Sequence, residues 1–123
     1  MRIFKNKWFA KYAQKADISD DDLRETVKEI ETGLIDADYR DGVYKKRIAR
    51  KGEGKRGGYR VIVFFKKEEK TFFVYGFAKS DMGNISKNQA KDFRATAKYY
   101  LVLTDEQIEE RKRNGFLTEL QGE

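Results

Sequence analysis

Residues 43 to 60 hold eight cations, Lys45, Lys46, Arg47, Arg50, Lys51, Lys55, Arg56 and Arg60, against a single acid, Glu53. Within them, "ARKGEGKRGGYR" at 49–60 places four glycines between two stretches that read as strands, Val43–Ala49 and Tyr59–Phe65. A period of two puts Val43, Lys45 and Arg47 on one side of the first strand and Tyr44, Lys46 and Ile48 on the other. Tyr44 and Ile48 suit a packed face, which leaves Lys45 and Arg47 on the open one. Arg60 enters the next strand, and Lys79 leaves a third, Thr71–Ala78. Lys45, Arg47, Arg60 and Lys79 are therefore placed to converge on one sheet surface.

Such a surface matches the demands of RNA cleavage. A proton must leave the 2′-hydroxyl, charge on the in-line phosphorane must be neutralised, and the departing 5′-oxygen must be protonated. Guanidinium forks suit the second task, which falls to Arg47 and Arg60. A lysine exchanges protons near neutral pH only if its pKa is brought down, and neighbouring cations do that by disfavouring the ammonium. Lys45 is the candidate. The glycine-rich stretch contributes Arg50, Lys51, Lys55 and Arg56 as grip for a polyanion. Lys46 and Tyr59 complete the expected substrate-binding set, although Tyr59 suits a core position equally well.

Composition excludes several alternatives. The 123 residues contain neither cysteine nor histidine, which removes disulfides, thiolate metal sites and the commonest neutral-pH base. Asp20, Asp21 and Asp22 fit a helix N-terminus and lack the spacing of an oxygen-ligand loop. No metal and no small-molecule cofactor is expected. Lys plus Arg is 27 against 21 for Asp plus Glu, a net charge of +6 that favours polyanionic partners. The basic start, "MRIFKNKWFAKYAQKA", never forms the continuous apolar run of a signal peptide or membrane span, so the protein is expected in the cytoplasm.

The elements that must position these residues follow from periodicity. Arg2–Phe4 reads as a short strand. Lys5 to Ala16 reads as an amphipathic helix on Trp8, Phe9, Tyr12, Ala13 and Ala16, residues whose spacing favours core packing over base stacking. Ser19 is placed to cap a second helix running to about Thr32 on Leu23, Val27 and Ile30, with Gly33 past its end. Three antiparallel strands follow, the last two joined by the charged turn Lys66–Lys70. Lys87 to Leu103 returns to helical spacing, and Thr104 with Gln107 forms a capping box for a helix at about 105–113. A short extended tail spans Phe116–Leu120, and Glu106, Glu109 and Glu110 read as a solvated helix face. The expectation is a single α+β domain over 1–123: two N-terminal helices on a twisted antiparallel sheet, a core of about 1–103, and additional C-terminal helices with an extension of about 104–123.

Three segments in order, "YKKRIAR" at 44–50, "GEGKRGGYRVI" at 52–62 and "VYGFAK" at 74–79, resemble the RelE/HigB group of bacterial type II toxins in the RelE/ParE superfamily. The resemblance implies a microbial-ribonuclease-like domain that enters the ribosomal A site, cleaves mRNA there without a metal, inhibits translation, and is neutralised by a cognate helix-turn-helix antitoxin. It aligns Lys45 and Arg47 with the family's two basic strand positions, Arg60 with the arginine after Gly-Tyr, and Lys79 with the basic strand end. Two positions depart from it, with Ser86 where the best-known members have a catalytic tyrosine and Ser80 where they have a further basic residue. Two other functions remain open on the same fold, a ParE-like inhibitor of DNA gyrase and a non-catalytic RNA- or protein-binding module.

Overall fold

The computed structural model describes residues 1–50, 54–78 and 85–121, with side chains throughout except at 50 and 54–57. Among the described residues, ten elements run in the order β1 (Arg2–Asn6), α1 (Lys7–Ala16), α2 (Asp20–Glu31), β2 (Ala37–Asp38), β3 (Val43–Arg50), β4 (Gly54–Lys66), β5 (Lys70–Ala78), α3 (Lys87–Leu101), α4 (Asp105–Arg113) and β6 (Leu117–Glu119). Local chemistry fixes the helix ends. The Asn6 side chain accepts from the Phe9 N–H to start α1, and Asp17 closes it with a left-handed backbone. Ser19 and Asp22 form a reciprocal capping box on α2, and Thr104 and Gln107 form another on α4.

The six strands form one sheet in the order β2-β3-β4-β5-β1-β6. Strands β3, β4 and β5 pair antiparallel, as their alternation and tight turn predict. The sheet as a whole is mixed, which corrects the expectation of a wholly antiparallel one: β1 runs parallel to β5, with Arg2 opposite Lys70 and Phe4 opposite Phe72. Helices α1 and α2, not a hairpin, follow β1, and the chain returns to pair with it from more than sixty residues away. β6 adds antiparallel to the outer edge of β1, so the tail beyond α4 completes the sheet.

Both faces of the sheet are packed. On one, Phe9, Ala13, Leu23, Val27 and Ile30 of α1 and α2 meet Ile48, Val61, Val63 and Phe73. On the other, Ala90 and Ala97 of α3 and Ile108 of α4 meet Val43, Ile62, Phe64 and Phe72. The face assigned to Lys45 and Arg47 is thus open only in part, because α3 covers much of it. Gly76 allows α1 to lie close on β5, since a β-carbon there would overlap the Tyr12 ring. Phe9 is fully buried as its spacing predicts, whereas Trp8 is 46 % exposed and stacks on Tyr12 and Tyr75.

The C-terminal segment is held by charge as well as by Ile108 and Leu117 in the core. Arg2 donates to both oxygens of Glu119, at 2.8 and 2.9 Å, and to Glu109 at 2.8 Å. Lys112 reaches Glu119 at 2.8 Å and Glu109 at 3.1 Å. Glu109 therefore belongs to an ion-pair network joining β1, α4 and β6, where a merely solvated face was expected. Its counterpart Lys70 is buried at the far end of α3 and donates to the Leu103 carbonyl at 2.9 Å, satisfying a group beyond the last helical turn.

Candidate active site

Register brings the cations together. Arg47 lies opposite Arg60, and Lys45 opposite Ile62, so the three side chains share one face of β3 and β4. Arg60 is only 7 % exposed, and its guanidinium donates to the Gly58 carbonyl at 3.3 Å. No carboxylate among the described residues lies within ion-pair distance of it. A guanidinium this far from water, with no carboxylate paired to it among the described residues, suits an anion, since burial of its charge is costly unless it is compensated.

Lys45 is half-buried beside it. Burial, reinforced by the positive charges of Arg60 and Arg47, holds its ammonium pKa below the ordinary lysine value, against an opposing pull from Asp36. Arg47 is the outermost of the three, its side chain 43 % exposed, and it is anchored rather than loose. Its Nε donates to Asp36 Oδ1 at 2.6 Å and its backbone N–H to Asp36 Oδ2 at 2.7 Å. Burial pushes the Asp36 carboxyl up, but these two hydrogen bonds and the charges of Arg47 and Lys46 together outweigh it and leave the group below the usual carboxylate range.

Two expected substrate-binding residues are placed elsewhere. Lys46 is 2 % exposed and turns to the opposite face, where its Nζ sits 3.0 Å from Glu29 of α2. It cannot grip a polyanion from there. The alternation that paired it with Tyr44 and Ile48 carried that signal, and only the count of nearby cations argued otherwise. Tyr59 also faces the α1 side, half-buried and edge-on to Tyr12 at 6.1 Å, because it precedes Arg60 by one residue in the strand. Lys51 and Lys79 lie outside the described residues, as do Ser80 and the side chains of Arg50, Lys55 and Arg56.

Ser86, in the position where a tyrosine was expected, is the N-cap of α3. Its hydroxyl accepts from the Gln89 N–H at 3.1 Å, and the Gln89 side chain accepts from the Ser86 N–H at 2.7 Å. The residue is used to start a helix.

Sequence reasoning missed two groups. Asp36 gave no local cue, because β2 is two residues long and its pairing with β3 is visible only in three dimensions. The other group was readable: Lys87, Lys91, Arg94 and Lys98 recur at i, i+4, i+7 and i+11, which places them along one side of α3. Arg94 donates to the Tyr39 carbonyl at 2.9 Å, so this edge of α3 faces the β2–β3 side of the sheet, the side that carries Lys45 and Arg47. Lys87, Lys91 and Lys98 are exposed.

The geometry is a cation site: one buried guanidinium, one anchored guanidinium and one depressed lysine in adjacent rows, with further cations along a neighbouring helix edge. The family model for the RelE toxin of the RelE/RelB toxin-antitoxin system matches residues 1–120. That match spans β1 through β6, including the C-terminal helix and strand that lie beyond the segments carrying the resemblance. The chain belongs to the RelE toxin family of toxin-antitoxin systems.

Proposed function

We propose that this RelE-family toxin is a ribosome-dependent, metal-independent endoribonuclease that cleaves mRNA in the A site, on a microbial-ribonuclease-like fold, and that a cognate antitoxin neutralises it. The observation that carries the reading is the buried Arg60 guanidinium with Lys45 and Arg47 on the same face. In this reading neutral Lys45 takes the 2′-hydroxyl proton, and the 2′-oxygen attacks phosphorus. Arg47 and Arg60 hold the charge that gathers on the non-bridging oxygens. The P–O5′ bond then breaks and the 5′-oxygen takes a proton from water while the Lys45 ammonium returns its own to solvent, leaving a 2′,3′-cyclic phosphate and a 5′-hydroxyl. Lys79, which aligns with the family's basic strand end, is the fourth cation of the set.

Side chains of this kind are modest catalysts on a flexible strand, so alignment must come from outside, and the ribosome supplies it. The exposed edge of α3 with Lys87, Lys91 and Lys98 extends the basic surface for RNA contact. The antitoxin is expected to bring acidic and apolar groups that cover these cations or bar entry to the ribosome.

The test uses Arg60→Ala and Lys45→Ala in a translating lysate and in cells. Both substitutions are expected to abolish mRNA cleavage and growth arrest while the far-UV dichroism stays native. Arrest that persists in Arg60→Ala together with gyrase-linked DNA breaks would transfer the assignment to a ParE-like gyrase inhibitor.

A further inference from the structure

We propose that Asp36 is the positioning residue of the cation site, holding the Arg47 guanidinium in its aim and setting a negative charge against Lys45. The inference rests on the endoribonuclease reading and adds to it a residue that touches no part of the RNA.

Asp36 stands just before β2 and is fixed from both directions. Its backbone N–H donates to the Lys45 carbonyl at 3.0 Å, while its carboxylate accepts from the Arg47 N–H and from Arg47 Nε. Three hydrogen bonds thus tie one residue to two consecutive inward positions of β3. The use of Nε matters. A guanidinium held by that nitrogen keeps its orientation about the long side chain and leaves the fork of its two terminal nitrogens to meet a phosphate. Without the clamp, a side chain 43 % exposed would sample several rotamers, and its contribution to the transition state would shrink with the fraction of time spent in the right one.

The charge acts on a second residue. Lys45 is faced by Arg60 from β4, by Arg47 on its own strand and by Asp36 from the segment before β2. Burial and the two guanidiniums favour the neutral amine, and Asp36 opposes them. Taking the carboxylate away removes the opposing influence, so Lys45 must then lose its proton at lower pH. The carboxylate therefore sets how far the lysine is depressed as well as where Arg47 points.

Two substitutions separate these effects. Asp36→Asn keeps an acceptor and removes the charge; Asp36→Glu keeps the charge and changes the reach. Lys45 titration is followed in the full chain by NMR of 13C-labelled lysine side chains, and single-turnover mRNA cleavage is measured on programmed ribosomes across pH. In Asp36→Asn, the Lys45 midpoint and the pH midpoint of cleavage are expected to move down together, with the maximal single-turnover rate at saturating ribosomes reduced about 10- to 100-fold. In Asp36→Glu, the Lys45 midpoint is expected to stay near the unsubstituted value while cleavage falls, because the charge remains and the clamp does not.

Unchanged Lys45 titration together with cleavage within twofold in Asp36→Asn would overturn the inference. The underlying reading fails separately. If Arg60→Ala still cleaves, the active-site assignment is wrong whatever Asp36 does; if Arg60→Ala is dead and Asp36→Asn is fully active, only the role of Asp36 is lost.

Discussion

Two arginine clusters at different places on the sheet use the same chemistry to opposite ends. Around Arg2, every charge is answered: Arg2 and Lys112 face Glu109, Glu119 and Asp105, and the result joins β1 to the C-terminal helix and strand. Around Arg60, three cations share one face of two strands, and Asp36 alone among the described acids is paired to them, through Arg47. The first cluster is complete as it stands. The second, among the described residues, gathers more cations than acids in a poorly solvated place, which stabilises the fold less than an apolar residue would and suits the anion-binding role proposed for it. Pairing among the described residues, more than the presence of arginines, distinguishes the structural staple from the candidate site.

Lys45 and Lys46 repeat the contrast between neighbours in sequence. One points into the cation site and is depressed by it; the other points through the sheet to Glu29 and is buried with its counter-charge.

The largest effect is expected from Arg60→Ala, which should lower the single-turnover cleavage rate on ribosomes about 10²- to 10³-fold while leaving the urea midpoint unchanged or raised. A protein that instead unfolds would mark Arg60 as a staple like Arg2. Next in size is Lys46→Ala, which removes a largely buried ion pair with Glu29 and should cost about 3 kcal/mol in urea unfolding. Cleavage per folded molecule should survive. A double change to Met at 46 and Leu at 29 is expected to recover most of the loss.

The Arg2 cluster is tested by acid. Hydrogen bonding from Arg2 holds the Glu119 carboxyl down at about 2, against an ordinary value of 4.5. Its folded pKa is depressed, so its contribution is fully present above the unfolded value and is lost as pH falls from about 4.5 towards 2. With discounting for partial solvation that contribution is roughly 1–2 kcal/mol, and Glu119→Gln should flatten the stability profile in that window. The smallest effect is expected from Lys91→Glu with Lys98→Glu on α3. These should weaken ribosome binding about three- to tenfold and reduce its salt dependence, measured by co-sedimentation at two ionic strengths, with no change in maximal cleavage.

Much of this was legible in the sequence, for reasons that also explain what was not. Helices α1, α2 and α4 and strands β3 to β5 followed from short-range periods and capping pairs such as Ser19 with Asp22 and Thr104 with Gln107. Alternation also placed Lys45 and Arg47 together and Lys46 apart from them. What it could not give was partnership across distance. The parallel pairing of β1 with β5, the clamp from Asp36 and the burial of Lys46 against Glu29 all depend on which segments meet after folding. Ser86 is an intermediate case, since Ser-x-x-Gln is a capping signature that a family comparison read as a missing tyrosine.

The central claim is that Lys45, depressed by burial beside Arg60 and Arg47, is the base of the cleavage reaction. It is tested most directly by the pH dependence of single-turnover mRNA cleavage on ribosomes for the unsubstituted protein and for Lys45→Arg. The rate is expected to rise with pH and level off with a midpoint below that of an ordinary lysine, coinciding with the Lys45 titration, and the Lys45→Arg protein to cleave slowly without that rise. The same rising profile and a comparable rate in Lys45→Arg would contradict it.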